Sequence, residues 1–426
     1  MNNFLDFISF KDPNVLYVVL GMFFINSSSA LIGTFAFLRK RALIGDAIAH
    51  SLLPGLCLGF LAAGEKNLLF LLLGAFVTGW LSTFAVDIIV NKTKVKQDAA
   101  IGIVLSTFFA LGIVLLTYIQ QHASGQQAGL DHFLFGQAAA INKADVWIFG
   151  SILVIMILVV SIFYKSFVLV AFNQDYARSI GLPVRSIEFL ITSMTVLAIA
   201  SGIQALGVIL MSALIITPGA AARLWSHKLV RILILAIVFS VVAGIGGAYV
   251  SYVKSGMPTG PWVVLFLSLI IIVSIFFAPD KGILSKILRA RGNKKKILHE
   301  NILKAIYQFH ENKNSGDLLK ALTTDNIVSI RNFDTSALVK GINKLMSKGL
   351  VEKRKNKYAL TKAGVKESRR IVRLHRLWEQ YLITRTNIEM DHVHSGAEAI
   401  EHIITPEIEA ELQKELGIKG IPEEDY

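Results

Sequence analysis

Eight or nine stretches of about 18–25 residues, almost free of charge, constrain this chain more than any other feature: 15–38, 42–63, 67–91, 98–119, 146–170, 186–203, 205–222, 229–251 and 261–278. Covering roughly 30 Å of hydrocarbon takes about 20 apolar residues at 1.5 Å each. Lipid offers no water to an unpaired backbone group, so such stretches become helices. The sixth and seventh meet near Gly202 and Gln204, as a tight hairpin or a partly re-entrant pair, hence eight or nine crossings. Only 17% of the chain is charged, where soluble proteins average about 25%. The deficit falls within 14–278, and 280–426 reads as ordinary charged sequence. The expected fold is an all-α polytopic membrane region over 1–279, a basic linker over 280–296, and a soluble C-terminal region.

The net charge of +13 is read as membrane topology. Arg39-Lys40-Arg41, the Lys92/Lys94/Lys96 run, Arg178 with Arg185, Arg223 with Lys228, and 281–296 all fall on one side if there are nine crossings. The opposite loops hold Lys66, Lys143 and Lys254. The positive-inside rule puts the C-terminal region in the cytoplasm and the N-terminus outside. The opening MNNFLDFISFKDPN lacks a basic n-region, so no cleavable signal peptide is expected. A single cysteine, Cys57, excludes an intramolecular disulfide and a Cys-rich zinc module. The linker DKGILSKILRARGNKKK is either a segment lying on anionic membrane lipid or a plain positive flank.

Chemistry concentrates in RKRALIGDAIAHSLLPG, residues 39–55, where Asp46 and His50 are spaced i, i+4 and share one helix face. A carboxylate within a span costs at least about 2.5 kcal/mol, which marks it as a functional candidate. Carboxylate plus imidazole is a sensible donor pair for a borderline divalent metal; a buried Asp–His hydrogen bond fixing helix packing is the other reading. Asn26 and Ser27-Ser28-Ser29 read as small-residue packing. Cys57 lies too far along the helix to share a metal with His50 and reads as a core residue. His122 and His132 in the long outer loop are read as facing water, and Pro218 as bending the seventh span.

The stretch GTFAFLRKRALIGDAIAHSLLPGLCLGFL (33–61) resembles the signature region of the manganese/zinc/iron class of ABC importer permeases, as do FNQDYARSIGLPV (172–184), LGVILMSALIITPGAAARLW (206–225) and DHFLFGQ (131–137). The resemblance covers most of 14–278. It implies a bacterial cytoplasmic-membrane permease that acts as a homodimer, with two cytoplasmic ABC ATPase subunits and an extracytoplasmic metal-binding protein. It also implies that Asp46 and His50 line the path of a divalent metal substrate, manganese, zinc or iron. In such importers a short helix like NQDYARSIGLP docks on the ATPase, which makes Asp175, Ala177, Arg178 and Gly181 contact or turn positions; a plain surface helix is the alternative. No GxxxxGK[ST] motif occurs, so the chain itself is expected to hold no ATP site, and to be a transporter subunit rather than an enzyme.

Residues 297–361 start as a periodic helix, HENILKAIYQFHE, and continue as a helix–turn–helix-like stretch, NIVSIRNFDTSALVKGINKLMSKGLV, with Asp334 or Thr335 as a helix cap. The basic turn EKRKNKYALT follows like a winged hairpin. Residues 362–426 read as helices rich in His and Glu. His375 and Glu379 are i, i+4, His394, Glu398 and His402 repeat at four, and Glu401 follows Glu398 by three. Shared faces of this kind either bind manganese, iron or zinc, or are solvated charge pairs. LTKAGVKESRRIVRLHRLWEQYL (360–382) and HSGAEAIEHIIT (394–405) resemble the metal-dependent repressors of the diphtheria-toxin-repressor class, a winged helix plus a helical dimerisation region. That resemblance implies a regulatory metal at His375, Glu379, His394, Glu398, Glu401 and His402, and a DNA-binding face including Lys340, Lys344 and Arg354. The chain departs from it at Asn301 and Lys304, where acidic ligands are usual, at Arg331, and in the extra DLLKALTTD. These departures count against full metal occupancy and against binding nucleic acid.

The function expected from the sequence is therefore a permease subunit of an ATP-driven divalent-metal importer with a cytoplasmic metal-sensing domain. A secondary metal transporter and a membrane-tethered, metal-dependent transcription regulator are the alternatives.

Overall fold

The computed structural model describes residues 6–7, 9, 12–39, 42–64, 67–122, 136–254, 257–313, 318–386 and 406–416. The chain divides into two compact units, Met1–Lys286 and Ile287–Tyr426, each described by itself below.

The first unit is all helix. Its elements are α1 (Pro13–Leu38), α2 (Ala42–Ala63), α3 (Leu68–Lys92), α4 (Gln97–His122), α5 (Lys143–Phe172), the short α6 (Gln174–Ser179), α7 (Val184–Leu206), α8 (Val208–Trp225), α9 (Leu229–Val253) and α10 (Thr259–Phe277). Eight of them have the length and apolarity to cross a membrane, and Leu210–Trp225 forms a shorter apolar ninth. Their starts are set by local chemistry. Asp12 caps α1 through the Asn14 amide, with Pro13 leading its first turn, and Asn67 caps α3. Asn142 and Asp145 form a reciprocal capping box at α5.

The spans are not equivalent. α1 and α2 are the most enclosed, whereas α4, α5 and α10 present most of their surface outward. Leu111, Val114, Val154, Ile162, Leu265 and Leu269 are among their exposed apolar side chains, a face suited to acyl chains. α2 is gripped by α3 through glycine. A Cβ built on Gly55 would meet the Gly74 carbonyl oxygen at 2.2 Å, one on Gly74 would meet that of Gly55 at 2.1 Å, and one on Gly59 would meet that of Phe70 at 2.4 Å. The backbones touch because neither side has a side chain to keep them apart, which is how helices associate where burial from water gives no gain.

The break between the sixth and seventh spans lies later than the sequence indicates. α7 runs through Gly202 and on to Leu206, and the chain turns at Gly207, with φ +82 and ψ 160. Gly202 lies within the helix, and its lack of a side chain makes room for Ile25 and Met211. Gly207 takes a left-handed backbone that a Cβ would strain. The turn makes α7 and α8 two separate helices.

The second unit begins along α11 (Ile283–Asn312), so the basic stretch 280–296, expected as a linker, is helical from Ile283 onward. It continues with α12 (Thr324–Val328), α13 (Thr335–Ser347), the antiparallel strands β1 (Val351–Arg354) and β2 (Lys357–Leu360), α14 (Lys362–Thr386) and α15 (Pro406–Glu415). Register is Val351 to Leu360 through Arg354 to Lys357. A two-residue turn joins the strands, with Lys355 at φ +57, the backbone that matches strand twist in a tight hairpin. Ile302, Ile306, Ile327, Leu338, Ile342, Leu360 and Ile371 supply the core. The hairpin and helix pair expected from the sequence are present in this winged-helix order.

Gly74→Ala should lower membrane-extracted melting stability by about 1–3 kcal/mol, the usual cost of overpacking. The isosteric exchange Leu72→Met, on the same helix, should cost less. Thermal unfolding of both variants in detergent checks the order.

Candidate metal path and coupling surface

Asp46 and His50 lie on α2, the helix held by the glycine contacts, and both face outward from its backbone toward one another. His50 Nε2 stands 3.6 Å from Asp46 Oδ1. That is too long for a hydrogen bond. Two donors each about 2.1 Å from a shared cation stand roughly 3.4 Å apart at a tetrahedral angle, so the spacing suits a cation between them. The His50 side chain is 18% exposed and that of Asp46 is 39% exposed. The imidazole rests edge-on against Phe109 of α4, centroids 5.1 Å apart at 89°, which limits its rotation. Its Nδ1 is buried with no hydrogen-bond partner among the described residues, an arrangement that costs free energy unless something outside the protein fills it. Cys57, further along α2, is buried, its thiol directed at the Gly112 carbonyl 3.8 Å away. No cluster of three or more His, Cys, Asp or Glu occurs among the described residues.

The motif NQDYARSIGLP folds as α6 and the turn after it. Asn173 caps it through the Tyr176 amide, and Asp175 pairs with Arg178 at 3.3 Å. Its end is a two-bond lock: Gly181 N–H donates to the Arg178 carbonyl at 3.0 Å and Leu182 N–H to that of Ala177 at 3.1 Å. This is the closing pattern that needs a left-handed residue, here Gly181 at φ +83. The four singled-out residues thus divide. Asp175 and Arg178 are exposed, Gly181 makes the turn, and Ala177 is fully buried and anchors the helix inward. Tyr176 and Ile180, which sequence reasoning passed over, are half exposed beside Asp175 and Arg178, giving the exposed face apolar as well as charged character.

Two further carboxylates in the spans escaped the sequence reading. Asp87 of α3 lines a small cavity with Ile44, Ala47, Thr83, Val86 and Thr192. Glu188, in the second turn of α7, accepts hydrogen bonds from Arg39 Nη2 and, at 3.0 Å, from Gln174 Nε2. A charge within an apolar run was the available signal for both.

In the second unit His375 Nε2 stands 3.0 Å from Glu379 Oε1, and His375 is buried. His394, Glu398, Glu401 and His402 lie outside the described residues. Asn301 and Lys304 are buried in α11, so that helix brings an amide and an ammonium to the interior and no carboxylate at those positions. The described donors alone make a pair, not a complete metal shell. Lys340, Lys344, Lys353, Lys355 and Lys357 are exposed; Arg354 is exposed but held by Glu352 at 2.5 Å. Asp334 caps α13 through the Ala337 amide at 2.8 Å. That bond, with one from Ser336, holds the Asp334 carboxyl below its usual range. His299 is pushed below the ordinary imidazole range by burial and by the charges of Lys348 and Lys344.

Comparison with known proteins extends the geometry. Residues 11–278 match the ABC 3 transport family, and residues 361–419 match the metal binding and dimerisation domain of iron dependent repressors. The manganese transport system membrane protein MntC of Bacillus subtilis (strain 168) is 38% identical over 388 residues, covering 90% of this chain and 88% of that protein. The zinc transport system membrane protein TroC of Treponema pallidum (strain Nichols) is 40% identical over 282 residues, 66% of this chain and 95% of that protein. Among solved structures, PsaBC from Streptococcus pneumoniae in complex with Fab aligns with a TM-score of 0.61 at 29% identity, over 68% of this chain and 99% of that one.

The Asp334 cap gives a pH test of the second unit. With its folded pKa depressed, its stabilisation is present above the unfolded value of 3.8 and fades as pH falls through the folded one. Amide exchange across Ala337–Ser347 should quicken as pH falls below about 4, after correction for intrinsic rates. Asp334→Ala should quicken it at neutral pH and abolish that acid step.

Proposed function

The chain belongs to the ABC 3 transport family, and we propose that it is the membrane-spanning permease subunit through which a divalent transition metal, manganese or zinc, enters the cell at the expense of ATP hydrolysed by a partner subunit. The observation that carries this reading is the Asp46–His50 pair: a carboxylate and an imidazole 3.6 Å apart on the most enclosed helix of a family permease. In lipid-bounded protein such a pair lowers the cost of carrying a dication where water cannot. Both donors suit manganese, zinc and iron, and selection among them rests on geometry and supply. The names of the relatives favour the first two.

In this mechanism an extracytoplasmic binding protein delivers the metal to the outer side of the bundle. Asp46 supplies charge and His50 Nε2 a neutral donor, while Phe109 keeps the imidazole turned toward Asp46. The exposed face of α6, with Asp175, Tyr176, Arg178 and Ile180, docks on a cytoplasmic ABC ATPase; Ala177 and Gly181 hold that face in shape. Orientation follows the basic loops, with the N-terminus outside and the C-terminal unit in the cytoplasm of a bacterial cell. Two ligands from one chain leave a metal under-coordinated, which favours a homodimer that brings two pairs together.

The C-terminal unit is read as a metal sensor that restrains transport when its metal is plentiful. Its support is the repressor-domain match and the His375–Glu379 pair. A regulatory metal would be held by His375 and Glu379 together with His394, Glu398, Glu401 and His402, and would supply a charge that ties those residues to one another. DNA binding by Lys340, Lys344 and Arg354 is not part of this reading, since Arg354 already serves Glu352.

Radiolabelled manganese and zinc uptake by cells expressing the chain with its ATPase tests the proposal. Asp46→Ala and His50→Ala should each cut uptake at least about tenfold, as loss of even supporting ligand contacts does. Undiminished uptake with abundant, folded protein would sink it. A chain stopped after Lys286, the end of the first unit, should lose inhibition of ATPase activity at high metal. Identical metal dependence in both forms removes the sensing role.

A further inference from the structure

Glu188 is the meeting point of three elements, α1, α6 and α7. Its Oε1 accepts from Arg39 Nη2 and from Gln174 Nε2. Arg39 closes α1, its own N–H bonded to the Phe35 carbonyl, and stands three residues before α2 begins at Ala42. Gln174 is the first residue of α6. Glu188 itself is on α7, which follows α6 after the Gly181 turn. One carboxylate therefore joins the helix that would dock on the ATPase to the root of the helix that carries Asp46 and His50.

The joint has the physical character of a linkage rather than of a surface charge pair. The Arg39 side chain is 4% exposed and that of Glu188 is 21% exposed, so neither end is screened as an exposed pair would be. Removing one partner leaves the other buried with its charge unmatched, which resists separation of the elements. Beside the joint the packing is open. Arg39, Ile44, Gly45, Ile48, Ile191 and Thr192 border a small cavity between α1, α2 and α7. Close-packed interiors transmit displacement, so a shift of α6 can reach the start of α2 through this joint.

We propose that Glu188, through Arg39 and Gln174, is the positioning residue that transmits displacement of α6 to the metal-bearing helix α2, and so couples ATP hydrolysis to movement of the cation. This rests on the reading of the chain as an ATP-driven permease. A merely structural role would change how much protein assembles. A transmission role changes how much metal moves per ATP hydrolysed.

The experiment reconstitutes the full chain with its ATPase in liposomes and measures metal uptake and ATP hydrolysis on the same samples, normalised to assembled complex. Glu188→Gln should lower metal moved per ATP at least about fivefold, the lower range of coupling between two sites, with metal binding at Asp46 and His50 retained. The exchange Arg39→Glu with Glu188→Arg should restore the ratio in part. If Glu188→Gln fails to accumulate, Gln174→Ala carries the test, since it removes only the α6 arm, and it should lower the same ratio. A ratio equal to wild type in the variant that assembles overturns the proposal. Wild type that moves no metal with ATP overturns the permease reading instead, and the two failures are thereby distinguished.

Discussion

In hydrocarbon an unpaired backbone group finds no water, and an unpaired charge finds no counter-ion. The first unit obeys both constraints. Every described span is a helix, which satisfies its own amides, and the helices then associate through contacts that hydrophobic burial does not provide. The mutual approach of Gly55 and Gly74 backbones is the most demanding of these. It fixes the long axis of α2, and with it the height and facing of Asp46 and His50.

The polar groups in that unit sort by how they are satisfied. Asn26 donates to the Met22 carbonyl at 2.7 Å and accepts from Ser240 at 3.1 Å, so it pins α1 to α9. Glu188 is satisfied by Arg39 and Gln174 and ties helix ends. His50 Nδ1 is buried without a described partner, and its Nε2 stands beyond hydrogen-bond reach of Asp46. The first two arrangements are closed. The third is open, and it is the one on which the proposed cation path rests.

The second unit follows soluble rules. Its core is an apolar cluster and its helix starts are capped, as at Asp334. Lys304 is buried on α11, and on α14 the buried His375 stands 3.0 Å from Glu379.

The sequence by itself determined the class of the fold, the spans, the helical face shared by Asp46 and His50, and the winged order of the C-terminal unit, because apolar run length, i, i+4 spacing and turn chemistry are local properties. It misplaced the break at Gly207, since Gly202 looks equally able to turn until Ile25 and Met211 are seen packed against it. It read Arg39 as a loop charge and left Glu188 and Asp87 unremarked. Arg39 and Glu188 are 149 positions apart, and only the packing of α1 beside α7 brings them together. Tertiary structure alone also decided that Ala177 turns inward while Tyr176 and Ile180 face out, because on a six-residue helix the neighbours, not the pattern, choose the buried side.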